Sequence, residues 1–170
     1  NFLDYAENGK KITSYITDII SKIGENIILR KILLYKIEPK TNVYYYVHNS
    51  YRPNIGKICV LLQASVDIDN EQTKEFGKNL CMHIAASKPI ALNVDNLDQN
   101  LIEKEKDIQL ATIKSSGKPE NIINKILDGK MKKYYSEATL MNQHYIFDTD
   151  KPVKDIISEK SSNDSFKILK

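Results

Sequence analysis

Residues 98–138 read DQNLIEKEKDIQLATIKSSGKPENIINKILDGKMKKYYSEA. Two long helical runs flank Ser115-Ser116-Gly117-Lys118-Pro119, a helix stop followed by a helix start. Gly117 suits the left-handed position just past a helix end, and Pro119 suits the first turn of the next helix, where its missing N–H loses no bond. Leu97, Leu101, Lys104, Ile108 and Ala111 alternate by four and three on the first run. Ile123, Ile126, Leu127, Lys130 and Tyr134 form the facing stripe on the second. The spacing predicts an antiparallel helical hairpin, a short coiled coil about 30 Å long.

Working outward, residues 69–87 carry a helical pattern. Asp69 and Gln72 are placed to cap its start reciprocally, and Phe76, Leu80 and Ile84 form its buried stripe. Met82 falls on the opposite side among Glu75 and Lys78, an apolar residue where solvent is expected. Residues 10–23 place Ile12, Tyr15, Ile16, Ile19, Ile20 and Ile23 at helical spacing, with Gly24 as the stop. Three β-rich runs follow at 27–37, 43–47 and 57–63, separated by Pro39-Lys40-Thr41-Asn42 and a long turn over 49–56. They suggest an antiparallel sheet with the first helix as its cover. Beyond the hairpin the pattern predicts a strand at 145–148, a short helix at 152–160 and a strand at 166–169, within which the chain stops like a fragment of something longer. The expected fold is α+β. Two small antiparallel-sheet and helix subdomains, 1–66 and 67–97 with 139–170, carry the hairpin 98–138 as an insertion.

The chemistry open to these residues is narrow. A chain of 170 residues, 41% hydrophobic and 28% charged, can bury a substantial core. Its net charge of +3, from 25 basic and 22 acidic residues, is too nearly balanced to imply nucleic-acid or membrane binding by itself. No apolar run approaches the roughly 18 residues that span a bilayer, and the first residues lack the basic and apolar regions of a signal peptide, so the expected address is cytoplasmic. Cys59 and Cys81 are too few for a disulfide framework and read as packing residues. No two of the six glycines, at 9, 24, 56, 77, 117 and 129, form a P-loop or dinucleotide fingerprint. Cys81 and His83 lie on different sides of a helix, which disfavours a metal site. Glu103, Glu105 and Asp107 read as a solvated face rather than an acid/base pair. The basic cluster Lys130-Met131-Lys132-Lys133-Tyr134-Tyr135 spreads around its helix instead of forming one nucleic-acid-binding face. His83 sits at the edge of the apolar stripe, where a packed core histidine and a contact residue compete evenly. No enzyme site, cofactor or metal is expected.

Several strings, in order along the chain, resemble the elongation factor Ts family. They are Lys22-Ile23-Gly24-Glu25-Asn26-Ile27 with Leu29-Arg30, Tyr46-Val47-His48-Asn49, and Gly56-Lys57-Ile58-Cys59-Val60-Leu61. The most specific is Met82-His83-Ile84-Ala85-Ala86-Ser87-Lys88-Pro89, joined by Glu103-Lys104-Glu105, Ser116-Gly117-Lys118-Pro119 and Asp128-Gly129-Lys130-Met131-Lys132-Lys133-Tyr134. The resemblance covers residues 9–160, and the longer loop between the second and third strings is similar to alphaproteobacterial and mitochondrial-type members. It implies a guanine nucleotide exchange factor of bacterial translation, which grips the GTPase elongation factor Tu and loosens GDP by binding the nucleotide-free form more tightly. It also implies that Met82 and His83 meet the partner's third domain, and that Ile58 and Cys59 lie on the strand facing its nucleotide domain. The family usually has glycine where Cys59 stands. Family members carry a Thr-Asp-Phe-Val motif upstream of the region matching residues 10–23, and Asn1-Phe2-Leu3-Asp4 is not that motif, so no exchange residue is carried over. An RNA-associated translation factor using residues 130–135 and a coiled-coil oligomerisation module, including a homodimer through the hairpin, are the alternatives.

Overall fold

The computed structural model describes residues 2–34, 36–114 and 119–169, of which 121 and 161–164 are described by backbone alone. The expected helix stop at residues 115–118 lies outside them. The chain divides into two compact units, residues 1–36 and 37–170.

In the first unit, β1 (Ala6–Glu7) pairs antiparallel with β2 (Lys10–Lys11) around a turn in which Asn8 and Gly9 take the left-handed region, at φ 51° and 77°. α1 spans Ile12–Ile23. Gly24 ends it at φ 73° and donates its N–H to the Ile20 carbonyl at 2.8 Å, the stop read from the sequence. Although its apolar spacing is helical, none of its residues is buried. The run 27–37, expected as a strand, contains no strand among its described residues. Isoleucine and leucine supply propensity there, but a strand exists only where a second backbone completes its ladder.

The second unit is built on β3 (Thr41–Arg52) and β4 (Ile55–Ser65), an antiparallel pair in register from Thr41 opposite Ser65 to Arg52 opposite Ile55. The long turn expected over 49–56 is instead mostly strand, closed at Pro53-Asn54. Asn54 takes φ 63° and the ladder shifts between Ser50 and Arg52. Asparagine tolerates the left-handed region this closure needs, so two residues suffice. α2 (Glu71–Ser87) packs on one face of the pair. Its cap is Asn70 rather than Asp69: the Asn70 side chain accepts the Thr73 amide at 2.8 Å. The expected stripe residues Phe76 and Leu80 are buried with Cys81 and Ala85 against Tyr44, Val60 and Leu62 of the sheet. Removing a leucine such as Leu80, which is fully enclosed, from water is worth about 2 kcal/mol. Gly77 is where helix and sheet come closest, since a Cβ there would lie 2.3 Å from the Tyr44 ring. Only glycine fits.

α3 (Gln99–Lys114) and α4 (Glu120–Ala138) pack on each other through Ile113, Leu127 and Met131, with Ile102, Leu110, Ile123, Ile126 and Tyr134 around them. Of the expected α4 stripe, Ile123, Ile126, Leu127 and Tyr134 line the seam, whereas Lys130 is exposed and the buried Met131 was not among the residues expected there. The α3 stripe is not the one expected: Leu101 and Ile108 remain 41% and 50% exposed, and the seam runs through Ile102, Leu110 and Ile113. α3 carries apolar residues on two neighbouring stripes, so periodicity alone did not choose between them. Across the pair the Lys130 ammonium donates to Gln109 Oε1 at 2.8 Å.

At the base of the two helices the incoming and outgoing chains run side by side, joined by a parallel bridge between Ala91 and Thr139. Leu140 donates its N–H to the Ala91 carbonyl at 2.9 Å and Met141 to Leu92 at 3.1 Å. The single strand expected at 145–148 is two short ones, β5 (His144–Tyr145) and β6 (Asp148–Pro152), about a tight turn. α5 (Val153–Asp164) then returns the chain to the core, and β7 (Lys167–Ile168) adds a third strand beside β4. Phe166 meets Phe76 edge-on at 5.0 Å, closing the core.

Candidate partner-binding surface

The four residues singled out at the sequence level lie on two elements. Met82 and His83 belong to α2, Ile58 and Cys59 to β4. Strand alternation sends Ile58 and Cys59 to opposite faces. Ile58 faces the α2 side and packs against the main core beside its ladder partner His48, whose Nδ1 lies 3.0 Å from the Tyr46 hydroxyl. Cys59 is exposed on the other face opposite Val47, next to the Tyr45 and Leu61 pair. That face is apolar and open: Tyr45 is 57% and Leu61 39% exposed. Cys81, by contrast, is fully buried, and burial with the neighbouring Cys59 pushes its thiol up to about 12. Of the two thiols only Cys59 faces solvent.

Met82 is half-buried rather than exposed. His83 has no exposed surface, and its ring is the centre of a polar junction. The Ile146 amide donates to Nδ1 at 3.3 Å. Nε2 therefore carries the proton and donates to Gln143 Oε1 at 3.1 Å. The Gln143 amide group in turn donates to the carbonyls of Glu137 at 2.6 Å and Ser87 at 3.2 Å, while the Gln143 backbone accepts the Val153 amide at 2.9 Å. One imidazole and one carboxamide thus tie together the ends of α2 and α4 and the β5–β6 turn, and the Gln143 backbone carbonyl adds the start of α5. Burial lowers the His83 pKa below 6.5, and the bond to Gln143 partly opposes the shift. Neutral, the ring fits these partners and the Ser87 hydroxyl, 3.5 Å from Nδ1; charged, it would turn a donor toward the Ile146 amide.

What this junction presents to solvent is the β5–β6 turn. Ile146 and Phe147 are 38% and 53% exposed, and the Ile146 backbone is held by His83. Sequence reasoning missed Gln143, Ile146 and Phe147. The alternation of Tyr145 to Asp148 reads as a strand, and only the turn shows that two adjacent apolar side chains stand outward together.

Known proteins bear on this arrangement. The family model described as Elongation factor TS matches residues 2–170. The chain is similar to elongation factor Ts of Ehrlichia ruminantium (strain Welgevonden), 40% identical over 157 residues that make up 92% of this chain and 54% of that protein. It is 36% identical over 155 residues to elongation factor Ts of Rhizobium meliloti (strain 1021), covering 91% of this chain and 50% of the relative. With that of Roseobacter denitrificans it shares 40% over 151 residues, 89% and 49% of the two lengths. The chain spans about half the length of the curated relatives it matches. With the family match running from the second residue to the last, the chain belongs to the elongation factor Ts family.

Proposed function

We propose that this chain supplies part of the surface by which a guanine nucleotide exchange factor grips elongation factor Tu in the cytoplasm during translation elongation, promoting GDP release by stabilising the nucleotide-free form. The observation that carries the reading is the family match along residues 2–170. Exchange of this kind makes and breaks no covalent bond. The exchange factor that holds the empty state more tightly weakens GDP by the same factor. Met82 and the exposed Cys59 are the direct contacts, on α2 and on the open face of β4. His83 and Ile58 act from beneath that surface, His83 by fixing the β5–β6 turn and Ile58 by anchoring β4 on the core. An apolar side chain seated in a partner's pocket is the usual form of an interface hot spot.

The test is titration of this chain against nucleotide-free elongation factor Tu from a related bacterium, with GDP release followed in parallel. Met82→Ala should weaken binding roughly tenfold or more while leaving the unfolding midpoint nearly unchanged. Binding that is absent at high micromolar concentration, or indifferent to Met82 and Cys59 alike, would overturn the assignment of this surface.

A second reading, self-association through the α3–α4 pair, is favoured by Leu101 and Ile108. They lie seven residues apart on α3 and both remain substantially exposed. A mass by sedimentation that rises with concentration and falls back in Ile108→Lys supports it; a constant monomer mass rejects it.

A further inference from the structure

A cleft of about 340 Å³ opens at the base of the two long helices, between the end of α4, β5 and the start of α5. Its walls carry Lys132 and Tyr135 of α4, His144 of β5 and Lys154 in the first turn of α5. None of the residues lining it is acidic, and neither lysine forms an ion pair among the described residues. Lys133, one position along, is paired with Glu137 at 3.7 Å and does not line the cleft. The His144 Nδ1 lies 2.8 Å from the Thr149 carbonyl, which can only accept, so Nδ1 bears the proton and Nε2 is the nitrogen left for a ligand. Two unpaired ammonium groups brought to one concavity repel each other until an anion neutralises them, and a phosphate offers three acceptor oxygens where the lysines and the tyrosine hydroxyl supply donors.

We propose that this cleft binds a phosphate group, carried either by a small phosphorylated molecule or by the backbone of a nucleic acid. It goes beyond the exchange reading and does not rest on it. The cleft, about 340 Å³, leaves room beside a phosphate for part of the group that carries it. The basic and aromatic run 130–135 scatters around α4 but brings Lys132 and Tyr135 to this opening.

Titrating the full chain with inorganic pyrophosphate, a mononucleotide and a single-stranded RNA oligomer, followed by two-dimensional NMR, tests the proposal. Saturable shifts confined to Lys132, Tyr135, His144 and Lys154 are expected, with affinity falling roughly tenfold in Lys132→Ala combined with Lys154→Ala and unchanged in Lys133→Ala. Binding of the mononucleotide but not the oligomer assigns a small-molecule ligand; an oligomer preference with a steep salt dependence assigns nucleic acid. Either sustains the site. No saturable shift from any probe up to high millimolar concentration, or identical shifts in the double variant, overturns it.

Discussion

His83 shows how much one buried side chain can organise. Its neutral ring accepts one bond from Ile146 and donates one to Gln143, and its folded pKa is lowered below 6.5. In the unfolded chain the same histidine titrates near 6.5 and takes up its proton first. The contribution of His83 is therefore complete above that pH and is lost as pH falls through 6.5 toward the folded value. We expect the urea midpoint to fall between pH 7.5 and pH 5.5 by more in the wild-type chain than in His83→Gln. At pH 7.5 the variant should be less stable by about 1–3 kcal/mol, the cost of leaving buried partners unpaired. Equal pH slopes in the two proteins would contradict this account. The sequence placed His83 at the edge of an apolar stripe and left two roles open. Gln143, 60 residues away, settled its environment, and no local pattern marks that pairing.

Among the elements, the α3–α4 pair is where reading and structure part most instructively. Ile123, Ile126, Leu127 and Tyr134 of the expected α4 stripe do line the seam, although Lys130 of that stripe is exposed and Met131 takes a place in it. On α3, Leu101 and Ile108 compete with Ile102, Leu110 and Ile113, and only the partner helix decides which set turns inward. Ile113→Ala should cost about 2–5 kcal/mol, as truncation in a packed seam does, and Ile108→Ala should stay within about 0.5 kcal/mol. Chemical denaturation of both variants checks the seam, and a larger loss from Ile108→Ala would restore the stripe inferred from periodicity. The hairpin of β3 and β4 teaches a related lesson. The sequence suggested a long turn over 49–56, but the strands run on to Pro53-Asn54, because ladder bonds form wherever the geometry of a two-residue closure allows.

For the whole molecule, every buried residue among those described belongs to residues 37–170, where most of the buried apolar ones form two clusters, one between the sheet, α2 and α5 and one between α3 and α4. A chain of residues 37–170 should therefore keep cooperative unfolding and most of the midpoint of the full chain, within about 1 kcal/mol. Thermal unfolding followed by circular dichroism distinguishes this from the loss of a transition, which would show that the core depends on residues 1–36.

The sequence by itself determined the class of fold, the helices and their approximate ends, and the family. These follow from local periodicity, from stop signals such as Gly24 and from ordered strings, all of which are written along the chain. Tertiary structure alone decided that residues 27–37 contain no described strand, that the α3 seam passes through Ile113, that His83 is enclosed while Cys59 is open, and that Lys132, His144 and Lys154 line one cleft. Each of these depends on which distant backbone or side chain supplies the missing partner, and propensity and spacing do not specify a partner.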